Sequence, residues 1–91
     1  MMFEIVYHHL VARDDIPKLS SEWRKKVRVA IEQRLVTHPD LYGKPLRRSL
    51  AGYRKLRIGD YRVIFKIEKR TVRILIIQHR SVVYENIGKR I

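Results

Sequence analysis

The sequence predicts an α+β fold: a small antiparallel β-sheet with N-terminal helices packed on one face. Three observations predict it. An amphipathic helical period runs from Ser20 to Leu35, three strand-like runs follow it in succession, and only short turns separate those runs. Strands that follow one another through short turns pair as an antiparallel meander, with the helices layered against it. The 91 residues, 45% of them hydrophobic, suit one domain over 1–91, because no shift in composition marks a second.

Met2 to Tyr7, rich in Phe, Ile, Val and Tyr, reads as a first strand. His9 to Asp15 follows as a short helix with Leu10 and Val11 inward. Pro17 has no amide proton to give and is expected to end or kink that helix near Asp15. Ser20 and Ser21 are candidate N-caps for a second helix, in which Trp23, Val27, Ala30, Ile31 and Leu35 form one apolar stripe. Arg24, Lys25, Arg28, Glu32 and Arg34 make its solvated face, and His38-Pro39 ends it.

Asp40 to Leu50 reads as a loop, with turn chemistry at Gly43 and Pro45 and cations at Lys44, Arg47 and Arg48. Tyr53 to Lys66 then supplies two strands joined at Ile58-Gly59-Asp60. A turn at Glu68 to Thr71 leads into a last strand, Val72 to Gln78, whose apolar run Ile74 to Ile77 implies a central position covered on both faces. Ser81 is a candidate cap for a terminal helix or turn, with Val83, Ile87 and Ile91 spaced by four. Basic residues are expected on the sheet face opposite the helices.

Twenty-one Lys and Arg against nine Asp and Glu give a net charge of +12, spread along the whole chain. Such a surplus predicts a polyanionic partner, with nucleic acid first and an acidic protein second. There is no cysteine, so disulfides and thiolate metal or redox chemistry are excluded. His8, His9 and His38 form no credible metal site, and no phosphate loop, dinucleotide turn or nucleophile elbow is present, so no cofactor is expected. No apolar run approaches a membrane span and no signal-peptide pattern opens the chain, which reads as a cytoplasmic protein without membrane association.

The chemistry-bearing residues cluster late in the chain. A strand sends alternate side chains to one face, so Tyr53, Lys55 and Arg57 share a side. Arg62 lies across a tight turn from them, and His79, Arg80 and Tyr84 follow the next strand. With strands about 4.8 Å apart, these groups are expected to share a concave patch of about one or two nucleotides. Cleaving RNA through its 2′-hydroxyl needs a proton acceptor, cations for the charge growing on the phosphorane, and an acid for the leaving 5′-oxygen. His79 or Tyr84 would handle protons, Arg62 and Arg80 the phosphate, and Lys55 and Arg57 the backbone, with Lys44, Arg47 and Arg48 as further RNA contacts. The alternative is structural: strand arginines pair with carboxylates or lie over apolar neighbours, and Tyr84 is a core aromatic with a polar tip.

The blocks Gly43-Lys-Pro-Leu-Arg47, Leu50-Ala-Gly-Tyr-Arg-Lys-Leu-Arg57, Gly59-Asp-Tyr-Arg-Val-Ile-Phe65 and Ile77-Gln-His-Arg-Ser-Val-Val-Tyr84 together resemble the RelE/ParE toxin superfamily, on its RelE side. The likeness extends to Asp15-Ile-Pro-Lys-Leu19 and the helix after it. It implies the toxin of a type II toxin–antitoxin pair, with a microbial-ribonuclease-like fold, that enters the ribosomal A site and cuts mRNA there without a metal. It implies as partners an antitoxin with an acidic toxin-binding segment, the ribosome and mRNA, and operator DNA only through the antitoxin complex. By the same resemblance Lys55, Arg57 and Arg62 match basic site positions, Arg62 at the scissile phosphate, and Tyr84 matches a catalytic tyrosine. Tyr53 stands where such enzymes can have a lysine. The segment before Tyr84 is two residues shorter, so a second catalytic arginine aligns near Gln78 or His79, with His79 or Arg80 as its substitute. Two other readings stay open on the same scaffold: a ParE-like inhibitor of DNA gyrase without nuclease activity, and an inactive relic that only binds antitoxin.

Overall fold

Nine residues, Thr71–His79, form the longest strand, β5, and every other layer is built on it. The computed structural model describes residues 2–91, with a five-stranded sheet in the order β1 (Glu4–Tyr7), β5, β4 (Tyr61–Glu68), β3 (Arg54–Ile58), β2 (Lys44–Pro45). Strands β2, β3, β4 and β5 make the expected antiparallel meander. The first strand, β1, departs from it by pairing in parallel with Thr71 to Ile74 of β5. Parallel pairing needs a long crossover, and the helices between β1 and the meander provide one. At the opposite edge, β2 is two residues long and consists of a lysine and a proline, features that blunt an exposed edge.

The first helix, α1, occupies residues 9–18, where a π-helical stretch at Val11–Asp15 passes into α-helix at Ile16–Lys18. Pro17 therefore does not end the helix. A prolyl ring clashes with the carbonyl four residues back in a regular helix, and the π turn widens that spacing. The chain leaves helical geometry only at Leu19, which is extended. Helix α2 (Ser21–Ala30) begins as expected: the Ser20 hydroxyl accepts the Trp23 amide at 3.2 Å. It continues as a π turn at Ile31–Leu35. It ends where His38-Pro39 was expected to end it: His38 leaves helical geometry (φ -137°), and Pro39 opens a short separate helix, α3 (Pro39–Tyr42), where a missing amide proton costs nothing. The predicted loop thus holds α3, β2 and a 3-10 turn at Arg48–Leu50.

Val27, Ala30, Ile31 and Leu35 of α2 and its extension join Val11 and Leu19 over Leu56, Val63, Phe65, Val72, Ile74 and Ile77, all buried. The opposite face is not simply basic. It carries a second apolar layer, in which Ile64, Leu75 and Ile76 meet Val83 and Ile87 from the C-terminal helix α4 (Val83–Asn86) and its 3-10 extension Ile87–Lys89. A bulge makes this possible. Ile64 faces Ile76 but Phe65 faces Ile74, so Leu75 is an extra residue, and two successive side chains serve the second layer while Ile74 and Ile77 serve the first. Ser81 does not cap α4. Val82 takes that position without a side-chain bond, and the Ser81 hydroxyl lies 2.8 Å from His79 Nδ1.

Both hairpin loops use left-handed backbone, at Gly59 (φ 57°) between β3 and β4 and at Lys69 (φ 56°) between β4 and β5. At Gly59 space is lacking as well, because a Cβ there would come within 2.5 Å of Trp23 Cη2. Gly59→Ala is therefore expected to lower stability by about 2 kcal/mol, from left-handed strain and displacement of the indole. Chemical denaturation checks this, and an unchanged midpoint would refute it.

His8 stands just ahead of α1, and its Nδ1 accepts the Leu10 amide at 3.1 Å. Burial lowers its pKa, repulsion from His9 and Arg90 adds to that, and Asp15 opposes it. The unfolded chain then binds a proton more readily than the folded one. Stability from this group is complete above the ordinary imidazole pKa and is lost as pH falls from about 6.5 through the folded value. His8→Asn keeps an acceptor that does not titrate, and it should flatten the decline of melting temperature between about pH 7 and pH 5. An identical decline in the variant would show that other groups cause it.

Candidate functional site

Strand alternation and register bring cations together at one end of the sheet. Arg57 on β3 lies directly opposite Arg62 on β4, and Lys44 on β2 lies opposite Lys55 on β3. Like charges opposed across strands are destabilising, and these four make no ion pair among the described residues. With Tyr42 they line a cleft of about 230 Å³ that contains no acidic side chain. Such an arrangement lowers its own repulsion by binding an anion.

Arg62 is the fixed member of the set. Its residue is only 8% exposed, and Nη1 donates to the Gly59 and Tyr61 carbonyls at 2.8 and 2.9 Å. Nε and Nη2 have no protein acceptor, and no buried side-chain nitrogen or oxygen among the described residues is left unpaired, so these donors reach solvent at the cleft. A guanidinium held on one side and open on the other is suited to a phosphate oxygen. Tyr84 lies beside Lys55: the ammonium is 5.9 Å from the centre of the phenol ring, and the tyrosine is 43% exposed on α4. Tyr84 is therefore not a core aromatic.

The other expected site residues lie elsewhere. His79 is on the helix-facing side of β5, opposite Tyr61 and edge-on to it at 5.6 Å, and it borders a separate cleft of about 280 Å³ with Lys18 and Asn86. Its Nδ1 accepts the Ser81 amide at 3.1 Å, so the proton of the neutral ring sits on Nε2. Arg80 is exposed and braces the β3–β4 turn, with its amide bonded to the Asp60 carbonyl at 2.8 Å and its guanidinium 3.7 Å from the Asp60 carboxylate. Arg47 and Arg48 are exposed on the turn after β2 and do not line the cleft. The expected patch of Lys55, Arg57, Arg62, His79, Arg80 and Tyr84 is thus divided. Lys44, Lys55, Arg57 and Arg62 gather with Tyr84, whereas His79 and Arg80 stand apart.

Tyr42 is a cleft residue that the sequence reading passed over. Arg34 lies 5.8 Å over its ring, and α3 turns it toward Lys44. Its signal was adjacency to Gly43, whose lack of a side chain lets Phe65 pack against the backbone there.

Comparison with known proteins agrees with this architecture. Residues 3–84 match the family model described as the ParE toxin of the type II toxin–antitoxin system parDE. Toxin RelG and Toxin RelE of Mycobacterium tuberculosis are 46% and 42% identical over 52 residues, 55% of this chain, and the matches span 60% and 54% of those proteins. The toxin–antitoxin complex RelBE2 of M. tuberculosis contains a chain that superposes with a TM-score of 0.81 at 32% identity, covering 89% of this chain and 94% of that one. Escherichia coli toxin RelE, as a free double mutant, shares the fold with a TM-score of 0.76 at 18% identity, covering 100% and 99%. The chain belongs to the RelE/ParE toxin superfamily of type II toxin–antitoxin systems.

Proposed function

We propose that this toxin is a ribosome-dependent endoribonuclease that cleaves mRNA in the A site, and that a cognate antitoxin with an acidic segment neutralises it. The observation that carries the reading is the convergence of four unpaired cations on one cleft, with Tyr84 at its side. Attack of a ribose 2′-oxygen on phosphorus breaks the bond to the 5′-oxygen. The 2′-hydroxyl proton goes to a base and a proton is returned to the leaving oxygen. Arg62, through Nε and Nη2, stabilises the charge that accumulates on the phosphorane. Lys44, Lys55 and Arg57 hold the flanking phosphates, and Tyr84 serves proton transfer at the cleft. Arg47, Arg48, His79 and Arg80, outside the cleft, contact flanking RNA.

Cleavage on programmed ribosomes, mapped by primer extension, tests the reading with a gyrase supercoiling assay in parallel. Tyr84→Phe and Arg62→Ala should each lower the cleavage rate by about 10²- to 10³-fold. Arg62 also ties down the β3–β4 turn, so its loss should cost about 1–3 kcal/mol of stability, and rates are compared at equal folded fraction. Intact mRNA together with inhibited gyrase would transfer the protein to the gyrase-directed class. Ribosome binding should weaken steeply with salt, and Lys55→Ala should reduce the log–log slope by about one. A slope unaffected by that substitution would remove the cleft from the docking surface.

A further inference from the structure

Beyond Ile74, β5 has no strand beside it on the β1 side, because the β1 pairing ends at Tyr7. Its edge groups are met by side chains instead. The Asp15 carboxylate of α1 accepts the Ile77 amide at 2.9 Å, and Arg90 Nη1 donates to the Leu75 carbonyl at 3.1 Å. The two side chains also pair with each other through both terminal guanidinium nitrogens, Nη1 to Oδ2 and Nη2 to Oδ1, the latter at 2.9 Å, and both are almost completely buried. Asp15 further accepts Gln78 Nε2 at 3.1 Å, and Gln78 Oε1 accepts Asn86 Nδ2 at 2.7 Å. One carboxylate of the N-terminal helix thereby holds the C-terminal segment at two places, Asn86 and Arg90.

Tyr84 lies in that segment. Helix α4 has four residues and its 3-10 extension three, too short to persist without tertiary support, and it lacks a capping side chain. The tyrosine is exposed and has no protein hydrogen bond of its own, so its place beside Lys55 is set by the backbone that carries it. Val83 and Ile87 anchor that backbone by apolar contact, which is non-directional. Buried ion pairs contribute little net stability compared with apolar packing, but their hydrogen bonds are directional.

We propose that Asp15 and Arg90 are positioning residues: their buried ion pair, extended through Gln78 to Asn86, clamps the C-terminal segment to the open edge of β5 and holds Tyr84 at the cleft. The consequence for catalysis rests on the nuclease reading above, whereas the clamp itself does not.

Hydrogen exchange and single-turnover cleavage at saturating ribosomes, measured on the full chain, separate the two. Asn86→Ala leaves the ion pair intact, Arg90→Met removes it, and Arg90→Lys restores the charge without the fork. In Asn86→Ala and Arg90→Met, exchange over 80–91 should rise about tenfold or more while β3 and β4 stay protected. The cleavage rate should fall about tenfold with half-saturation changed less than about twofold, and Arg90→Lys should recover part of both. Unchanged exchange over 80–91, or an equal rise throughout the sheet, would overturn the clamp. Faster C-terminal exchange with a wild-type cleavage rate would overturn its role in positioning Tyr84. A wild-type protein that leaves mRNA intact would refute the nuclease reading, and with it Tyr84's role there, while the exchange arm still decides the clamp.

Discussion

A strand buried on both faces must find apolar cover from two directions, and in this molecule that demand falls on β5. The long α2 supplies one cover and the short C-terminal helix the other. The bulge at Leu75 lets a run of four apolar residues divide two and two between them. The extra residue adds Leu75 to the layer on which Val83 and Ile87 of the Tyr84 segment pack. The position of a polar, solvent-facing group is thus decided by how isoleucines are shared beneath it.

Electrostatics works against the same architecture. A net charge of +12 on 91 residues opposes compaction, and the cross-strand pairs Lys44–Lys55 and Arg57–Arg62 concentrate that repulsion. Some cations elsewhere are offset locally, as Arg73 is by Glu68 and Lys26 by Glu22. At the cleft four cations converge with no carboxylate partner among the described residues. Arg62 shows how this is tolerated, because carbonyls of the adjoining turn take two of its hydrogen bonds and keep the side chain extended toward the opening.

Local chemistry was legible wherever it decided the outcome. The Ser20 cap, the α2 stripe, the two hairpin turns and the doubly covered last strand all follow from spacing and turn residues. Pro17 misled because a proline forbids a hydrogen bond, not a helix, and it sits where that bond is dispensable, whereas His38-Pro39 closes its helix as its chemistry requires. Within the site, Lys55, Arg57 and Arg62 could be grouped from strand parity. The same parity separates His79, since Gln78 is the residue paired with Arg62 and its neighbour must face the other way. The bond between Asp15 and Arg90 joins residues 75 positions apart and had no sequence signal at all.

Trp23 rests on Gly59, with the Tyr61 ring 4.9 Å from its own and the Lys26 ammonium 4.8 Å above it, and it is the sole tryptophan in the sequence. The turn it touches is the one whose carbonyls hold Arg62. Indole emission therefore gives the molecule an intrinsic optical gauge at the turn that holds Arg62. A displacement of that turn would change the surroundings of the indole, and so its emission, without any label attached to the chain.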